Sequence, residues 1–412
     1  MTVPADGGRA LRKRVPRSSF AAWSPALDRR DPLEILRENE RGRIPELLAL
    51  RHERMRADVF SFYRGCAAIM AADLHDRPVT GLRVQLGGDA HLMNFGGYAT
   101  PERNLVFDVN DFDETLPGPW EWDLARLCAS APLAAQVRAF GKKAGDEAAY
   151  AAAESYRMRM RALAERSPLG IWYSRVDVRG ALARELTQPR NATHVNPTEE
   201  HLTIAHSTLQ QYRQTLLPPV RALLDRYHVV DLFEHPVGIG SVGMLTLIAA
   251  FEARPGEMLY LQIKEAKASV LEPYLGASIF ANHGERAING QRLMQAATDP
   301  FVGWTSAGGR DFYVRQLRDE KSSLDLDGID ADELIDFSRR CGAVLARAHA
   351  RTGDPQAIAE YLGAGRAFET GMVRFARAYA RQVEEDYARF CGDVPPAATN
   401  SGPAPQGPVA QR

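Results

Sequence analysis

Two stretches decide the fold of this chain: GDAHLMN at residues 88–94 and NDFDE at residues 110–114. Asp89 stands five positions before Asn94 in the first stretch. The apolar residues that precede the second stretch predict a strand over residues 105–113, which would present several carboxylates at its end. We therefore expect two polar loops, separated by a short hairpin, to form the centre of the candidate site.

The two stretches resemble the catalytic loop and the metal-binding loop of kinase-like phosphotransferases. In such sites an Asp orients the attacking hydroxyl, while an Asn and a later Asp hold magnesium against the phosphates of ATP. The resemblance implies ATP and Mg²⁺ as cofactors. It implies Asp89 as the catalytic residue and Asn94 and Asp111 as metal ligands, with Asp113 or Asp108 assisting.

The segment WDLAR at residues 122–126 supports this interpretation. Asp123 follows Asp111 by twelve positions, much as a Trp-Asp or Tyr-Asp-Leu-Ala segment follows the metal loop of aminoglycoside and choline phosphotransferases. This spacing favours Asp111 over Asp108 as the metal ligand. The alternative is a surface turn that is merely rich in Asp, because short acidic motifs also arise by chance.

A glycine-rich stretch, GIGSVG, occupies residues 238–243, and Lys264 follows Gly238 by twenty-six positions. In a kinase small lobe, a glycine-rich hairpin covers the phosphates and a lysine on a later strand pairs with them. The resemblance therefore implies that the nucleotide is bound by Gly238, Gly240, Ser241, Gly243 and Lys264. Glycine patterns of this kind also open dinucleotide-binding units, but the proline at position 236 makes a poor end for a central strand.

The kinase interpretation also calls for a glutamate that pairs with the lysine. Glu285, on a predicted helix after the lysine strand, is the candidate partner of Lys264, and Glu272 is the alternative. A group of arginines, Arg51, Arg54 and Arg64, lies on predicted helices near the N-terminus. These arginines suit an anionic substrate because the guanidinium group binds carboxylate or phosphate with two hydrogen bonds, although salt bridges on helix surfaces are commoner.

The order of the clusters is unusual, because in ordinary kinases the glycine-rich loop and the lysine precede the catalytic loop. Circular permutation can preserve a fold while moving its ends. We therefore expect an α+β, two-lobed protein-kinase-like fold that is circularly permuted, with a helical large lobe and a small antiparallel-sheet lobe. The expected divisions are a basic flexible arm (1–30), a large lobe with both loops (31–230), a small lobe (231–321), return helices (322–391) and a disordered tail (392–412).

Local patterns predict several of the elements. Asp31 followed by Pro32 is typical of a helix start. Helical patterns cover residues 47–55, 60–74 and 202–227, and an amphipathic helix is predicted over residues 332–350. A strand is predicted at residues 82–86.

Over about residues 13–363 the chain also resembles a bacterial family catalogued as domain of unknown function 2252. The matching segments include residues 64–65, 88–96, 107–114, 118–123, 238–243, 262–266, 290–292 and 313–317. This resemblance brings no established activity, so any function must be argued from the kinase-like site.

Composition limits the partners. The chain has 412 residues, with 51 Lys and Arg against 52 Asp and Glu. This balance creates no general attraction to nucleic acid or to an anionic membrane. We expect a small-molecule or protein acceptor and a cytoplasmic location, since the basic N-terminus lacks the apolar core of a secretory signal. The four cysteines form no Cys-x-x-Cys pair, and the oligomeric state is left open.

Three other functions remain compatible with the sequence. A pseudokinase or nucleotide-binding regulatory module would bind ATP without turnover. A nucleotidyl transferase on the same fold would move AMP instead of phosphate. A magnesium-dependent hydrolase that uses the carboxylates of residues 108–114 would leave the glycine-rich stretch unexplained.

Overall fold

A computed structural model of the chain describes residues 7–178, 186–187, 195–235, 239–317 and 322–393. It has a mixed α+β fold in which the paired strands are antiparallel. We refer to residues 7–178 and 322–393 as the helical region and to residues 195–235 and 239–317 as the sheet region. The two names separate the parts of the chain that build the two largest apolar cores.

The sheet region is built on five antiparallel strands in the order β6-β7-β8-β10-β9. The strands are β6 (His228–Glu234), β7 (Thr246–Glu252), β8 (Met258–Ala266), β9 (Gly303–Ala307) and β10 (Arg310–Gln316). Side chains alternate between the two faces of a strand. One face packs with residues such as Ile204 and Tyr212 in the second apolar core, and the other face presents Lys264 and Tyr313, which are direct partners on β8 and β10.

Two smaller sheets are built mainly from strands of the helical region. They consist of β1 (Arg83–Leu86) paired with β4 (Leu116–Pro119), and of β2 (Phe95–Ala99), β3 (Leu105–Val109), β5 (Leu186–Thr187) and β11 (Ser322–Leu324) in the order β3-β2-β11-β5. Residues 87–94 connect β1 to β2, and residues 110–115 connect β3 to β4. Both loops of the candidate site are therefore connections between these short strands.

Helices account for most of the helical region and flank the sheet region. They are α1 (Gly7–Arg14), α2 (Pro32–Glu40), α3 (Pro45–Arg56), α4 (Val59–Arg64), α5 (Ala67–His75), α6 (Trp120–Val137), α7 (Gly141–Ala164), α8 (Pro168–Trp172), α9 (Glu199–Tyr212), α10 (Pro218–Leu224), α11 (Glu272–Leu275), α12 (His283–Met294), α13 (Ala331–Ala350), α14 (Pro355–Leu362) and α15 (Ala367–Asp393). Short 3-10 turns cover Arg17–Ala21, Leu92–Asn94, Arg213–Thr215 and Leu326–Gly328.

The core of the helical region forms where α6, α7, α13 and α15 pack together. Trp120, at the start of α6, is fully buried and stacks on Tyr156 of α7 with ring centroids 5.4 Å apart. Small residues let the helices approach closely. A Cβ on Gly342 of α13 would lie 2.1 Å from the carbonyl oxygen of Ala152 on α7, so this packing fixes the position of the C-terminal end of α13.

Several local predictions are confirmed. Helix α2 begins at Pro32, and the Asp31 side chain caps it by accepting a hydrogen bond from the Leu33 N–H. The helix predicted over residues 332–350 is α13, and the strand predicted at residues 82–86 is β1. The single helix predicted over residues 60–74 is wrong in one respect: the chain breaks between α4 and α5, where a Cβ on Gly65 would meet Met55 at 2.8 Å.

The basic arm that the sequence predicts to be flexible packs on the helical region over residues 7–30. Arg12 and Arg17 donate to the last carbonyl groups of α14, and Arg14 donates to the carbonyl of Thr80. Arg29 forms ion pairs with Asp73 and Asp386 at 2.7 Å. The arginines thus donate hydrogen bonds to carbonyl groups at the end of a helix and form ion pairs with buried carboxylates. The predicted tail lies outside the described residues from residue 394 onward.

None of the helices described combines the length and the apolar content that crossing a membrane needs.

Candidate functional site

A cavity of about 300 Å³ lies where the helical region meets the sheet region, and we call it the central cavity. The helical region lines it with Asp89, Asn94, Asp111 and Asp113. Across from them are Gly240 and Ser241 of the glycine-rich loop. Other lining residues include Arg41, Arg43, Arg64, His91, Glu114 and Lys267. The fold thus places the two stretches of residues 88–94 and 110–114 next to the glycine-rich loop.

The start of the loop over residues 87–94 is held by one carboxylate. Asp123, in the first turn of α6, accepts hydrogen bonds from the N–H groups of Gly87 at 2.7 Å and Gly88 at 2.9 Å. His349, at the end of α13, contacts Asp123 at 3.1 Å and the Tyr156 hydroxyl at 2.9 Å. Gly88 has a φ of +83°, and a Cβ there would lie 2.4 Å from the carbonyl oxygen of Glu114. This position therefore requires glycine.

Among the described residues, Asp89 is held through one of its two carboxylate oxygens. Its Oδ1 accepts from Arg126 Nε at 2.8 Å, and Arg126 in turn donates to the carbonyl of Tyr63 and lies 3.8 Å above the Tyr63 ring. The second oxygen, Oδ2, is 3.7 Å from His91 Nε2, which is too far for a good hydrogen bond. The side chain keeps 18% of its surface exposed. One carboxylate oxygen is thus fixed, and the other borders the cavity.

Asn94 and Asp111 are oriented by short contacts with the backbone. The Asn94 side-chain amide donates to the carbonyl of Asp89 at 2.7 Å, and the Asn110 N–H donates to the Asn94 carbonyl at 2.9 Å. Asp111 Oδ1 accepts from the Asp113 N–H at 3.0 Å. These bonds leave the Asn94 amide oxygen and Asp111 Oδ2 as acceptors at the cavity.

Asn94 and Asp111 fit a magnesium ion that is bound partly by the protein and partly by waters and phosphates. Within the described ranges no group of three His, Cys, Asp or Glu side chains could hold a metal alone. Magnesium usually binds proteins through one or two carboxylates, with waters and substrate phosphates completing its shell. The amide oxygen of Asn94 and the carboxylate of Asp111 are oxygen ligands of this kind.

Asp113 joins the two regions. Its Oδ2 forms an ion pair with Lys264 and accepts from the Ser241 hydroxyl at 3.1 Å, and its Oδ1 accepts from the Tyr313 hydroxyl at 2.8 Å. Burial alone raises the pKa of Asp113, but the Lys264 ammonium group and the hydrogen bonds from Lys264 and Tyr313 lower this pKa below its usual value. The ammonium of Lys264 is only 2% exposed. Three side chains of the sheet region therefore converge on one carboxylate of the helical region.

Among the described residues, Lys264 forms an ion pair with Asp113 and none with Glu285. Glu285 lies in the first turn of α12, and its N–H donates to the capping Asn282 side chain. The next residue, Arg286, is buried and donates to the carbonyls of Asp113, Thr115 and Lys267 at 2.7–2.8 Å. Helix α12 therefore contacts the loop over residues 110–115 through Arg286.

The glycine-rich loop connects β6 to β7 and is held by its carbonyl groups. Arg43 donates to the carbonyls of Gly240 at 2.8 Å and Val242 at 2.7 Å, while the buried Arg51 donates to the carbonyls of Ile239 and Gly240. Gly243 has a φ of +90°, and its carbonyl accepts from the Ile44 N–H at 2.7 Å. Gly238 lies outside the described residues.

Asp108 has no surface exposed and does not line the central cavity. One of its oxygens pairs with Arg347 of α13, and the other accepts from the Ala296 N–H at 2.8 Å. Arg347 and His349 are two residues apart on α13 and hold Asp108 and Asp123 respectively. The end of α13 thus supports both loops of the site.

Glu114 lies at the edge of the cavity and is buried. Its Oε2 accepts from the Val270 N–H at 2.7 Å. Burial raises the pKa of Glu114 to about 7, and the neighbouring Asp113 and Asp89 add to this effect. A proton on Glu114 at neutral pH would reduce the concentration of negative charge in the cavity.

The chain matches, over residues 43–196 and 181–393, a protein family described as an uncharacterized protein conserved in bacteria, DUF2252. It belongs to that family. No curated protein and no solved structure gave a match.

Three residues of the site were not identified from the sequence. Arg126 holds Asp89, Tyr313 binds Asp113, and Arg286 binds the backbone around Asp113. Arg126 belongs to the WDLAR segment, and Tyr313 is the direct β10 partner of Lys264. The alternation of side chains along the two strands therefore carried a signal for Tyr313. The pairing of Tyr313 with Lys264 depends on the register of the strands, however, which is set only in the folded sheet.

Proposed function

We propose that this protein is an ATP- and magnesium-dependent phosphotransferase with a circularly permuted, two-lobed kinase-like fold. Its acceptor is the hydroxyl group of a small molecule or a protein. The observation that carries the proposal is the ion pair between Asp113 and Lys264, at the edge of a cavity that Asp89, Asn94 and Asp111 also line. Lys264 does not itself line the cavity, but it pairs with Asp113, which does, so that a lysine and a set of acidic and amide side chains from distant segments lie close together.

The order of elements in the sheet region supports the kinase-like assignment. The glycine-rich loop connects the first two strands, Lys264 lies on the third strand, and α12 follows before the fourth strand. Kinases likewise place a glycine-rich loop over the phosphates, the lysine on the third strand and a glutamate on the helix that follows. Glu285 lies on that helix in this chain, without a contact to Lys264.

The end of α13 supports the permutation. This helix comes late in the chain, yet its Arg347 and His349 reach the carboxylates of Asp108 on β3 and Asp123 on α6, which adjoin the two early loops. The helix therefore lies next to the loop of residues 87–94, where the preceding helix of an unpermuted kinase would lead. Moving the ends of the chain explains this arrangement without a change of fold.

The residues of the chain would act mainly by positioning and by charge. Asp89 would orient the acceptor hydroxyl and take its proton on Oδ2, because Arg126 holds Oδ1. Arg126 thereby keeps the carboxylate in one orientation. Lys264 would bind phosphate oxygens, and the loop around Gly240 and Ser241 would cover them.

Asn94 and Asp111 would hold the magnesium ion. Bound Mg·ATP would supply the transferable phosphoryl group and the positive charge that neutralises its oxygens. The pairing of Lys264 with Asp113 implies that the lysine is partly occupied before the nucleotide binds. Phosphate oxygens would then compete with Asp113 for the ammonium group.

The test is transfer from ATP labelled at either the α or the γ phosphate, with magnesium and a fractionated extract of small molecules and proteins as the source of acceptor. The proposal predicts that the γ label enters a product and that Asp89→Asn abolishes this transfer. Entry of the α label would indicate AMP transfer. Tight ATP binding with no labelled product in any fraction would favour a nucleotide-binding regulatory module.

A further inference from the structure

Arg64, the last residue of α4, is a half-buried cation that lines the central cavity. Its Nε atom is buried and makes no hydrogen bond, and no ion pair or hydrogen bond of its guanidinium group is present among the described residues. A buried N–H group without an acceptor costs free energy. A ligand oxygen in the cavity would remove that cost.

The other half-buried cations at this cavity already have acceptors. Arg43 donates to Asn39 and to two carbonyls of the glycine-rich loop, and Lys267 donates to the carbonyl of Gly42 at 2.8 Å. Arg41 also lines the cavity but is exposed to solvent. Arg64 is half-buried, as Arg43 and Lys267 are, but it differs from them because its guanidinium group makes no hydrogen bond in the part of the chain that the structure describes.

Arg64 lies on the side of the cavity that holds Asp89. The carboxylates that act on its charge are Asp89 and Asp58. Those that act on Lys264 are Asp113 and Asp111. The two cations therefore face different carboxylates, one beside the catalytic candidate and the other beside the magnesium and phosphate candidates.

Helix α4 also supports Asp89 through two other side chains. Phe60 packs edge-to-face on His91 with ring centroids 6.3 Å apart, and the Tyr63 hydroxyl donates to the carbonyl of Arg126, whose side chain holds Asp89. His91 Nδ1 is buried without a partner. Burial lowers the pKa of His91 well below its usual value, and the positive charge of Arg64 adds to this effect.

The geometry points to an anion-binding subsite at Arg64 that holds a carboxylate or phosphate group of the acceptor while Asp89 contacts the acceptor hydroxyl. This inference rests on the proposed function and narrows it: the substrate is a hydroxyl compound that carries an anionic group. Arginine suits such a group because its planar fork can donate two parallel hydrogen bonds to the oxygens. The nucleotide phosphates are the other possible source of an anion, and the experiment separates the two.

The experiment is calorimetric titration of inorganic phosphate into the full-length protein, alone and in the presence of saturating magnesium and the β,γ-imido analogue of ATP. The variants are Arg64→Gln and Arg64→Lys. Arg161→Gln is the matched control, because Arg161 is an exposed arginine on α7. Circular dichroism and thermal melting establish that each variant is folded.

We expect the wild type to bind phosphate with the analogue present and Arg64→Gln to weaken that binding about tenfold or more, as for the loss of a hydrogen bond to a charged group. Arg64→Lys should retain part of the affinity because it keeps the charge. Arg161→Gln should bind as the wild type does. Affinity for the analogue itself should change less than threefold in Arg64→Gln.

Two outcomes would overturn the acceptor subsite. Equal phosphate affinity in the wild type and Arg64→Gln would show that Arg64 holds no anion. If the analogue abolishes phosphate binding, and if Arg64→Gln weakens binding of the analogue as much as it weakens binding of phosphate, Arg64 serves the nucleotide instead. A wild type that binds phosphate through Arg64 but never binds the analogue would refute the phosphotransferase proposal while supporting the anion subsite.

Discussion

The two sides of the central cavity are held in different ways. On the helical side, the loop with Asp89 is fixed by Asp123 and Arg126, which both belong to α6. On the sheet side, the glycine-rich loop and Lys264 are fixed by residues of the helical region, including Arg43 and Asp113. The helical side is therefore pre-organised by its own neighbours, whereas the sheet side depends on the contact between the two regions. Loss of the Asp89 carboxylate should therefore alter turnover, and loss of the contact between Asp113 and Lys264 should alter stability and nucleotide affinity together.

The largest effect is expected on the helical side, from Asp89→Asn. An asparagine keeps an oxygen that can accept from Arg126, but it cannot take a proton from the acceptor. We expect magnesium-dependent transfer from ATP to fall by ~10²–10⁴-fold, the usual contribution of a general base. Affinity for Mg·ATP should stay within about threefold because Asp89 does not contact Lys264.

The measurement is steady-state transfer together with calorimetric ATP affinity. Asp76→Asn is the control, since Asp76 is an exposed aspartate at the end of α5. Equal loss of ATP affinity and of turnover in Asp89→Asn would mean that the carboxylate belongs to the nucleotide site.

The next effect is expected at the contact between the regions, from Lys264→Met. Methionine keeps the apolar stem but leaves the half-buried Asp113 carboxylate without its cation, at a cost of about 3 kcal/mol in the free energy of unfolding. The double variant Lys264→Met/Asp113→Asn should recover more than half of this loss, because the unpaired charge is then absent. Urea unfolding of the four proteins of the cycle measures the coupling. Strictly additive effects would contradict the ion pair.

A smaller effect concerns the support of the helical side and depends on pH. Burial raises the pKa of Glu121 to about 7, although the carboxylate accepts hydrogen bonds from the N–H and hydroxyl of Thr80 at 2.8 and 2.6 Å. The folded protein therefore binds this proton more tightly than the unfolded chain, in which a glutamate has a pKa of about 4.3. Its contribution to stability is full below pH ~4 and is lost as the pH rises through about 7.

Glu121→Gln cannot lose a proton. Between pH 5 and pH 8 the free energy of unfolding of this variant should rise by ~2 kcal/mol relative to that of the wild type. Urea unfolding at several pH values measures this difference. The contributions of all other titrating groups are the same in both proteins and cancel in the difference. Parallel pH profiles for the two proteins would refute the raised pKa.

The smallest effect is expected in the glycine-rich loop, from Gly240→Ala. A Cβ there would lie 3.7 Å from the Arg64 carbonyl, an ordinary contact. The free energy of unfolding should change by less than ~1 kcal/mol. Gly88→Ala on the opposite side should cost clearly more, because that residue has a φ of +83° and a Cβ would clash with the Glu114 carbonyl at 2.4 Å. Thermal unfolding compares the two variants, and equal losses would mean that the loops are equally constrained.

The sequence predicted those parts of the site that depend on local spacing. Asp89 and Asn94 are near each other because a short loop separates them, and helix α13 follows from its own periodicity. The partner of Lys264 could not be predicted in this way. The expected partner, Glu285, lies on the expected helix, but the lysine pairs with Asp113, 151 positions earlier in the chain. Which carboxylate reaches the lysine depends on how the two regions pack.

Asp108 and Asp111 illustrate the same limit. Both lie in one acidic segment, and the sequence favoured Asp111 only through the position of Asp123. In the fold, Asp108 is paired with Arg347 away from the cavity, whereas Asp111 lines it. Arg347 is 239 positions from Asp108 in the chain, so spacing alone could not have identified the contact.

The most direct test of a nucleotide site shared by the two regions is calorimetric titration of Mg·ATP into the wild type, Asp111→Asn and Lys264→Met, with Lys264→Met/Asp113→Asn as a control for stability. We expect the wild type to bind Mg·ATP and the affinity for Mg·ATP to fall about tenfold or more in each single variant. We also expect the double variant to regain stability without regaining ATP affinity. Absence of ATP binding by the folded wild type up to millimolar concentration, or binding that neither single variant weakens, would contradict a nucleotide site shared by the two regions.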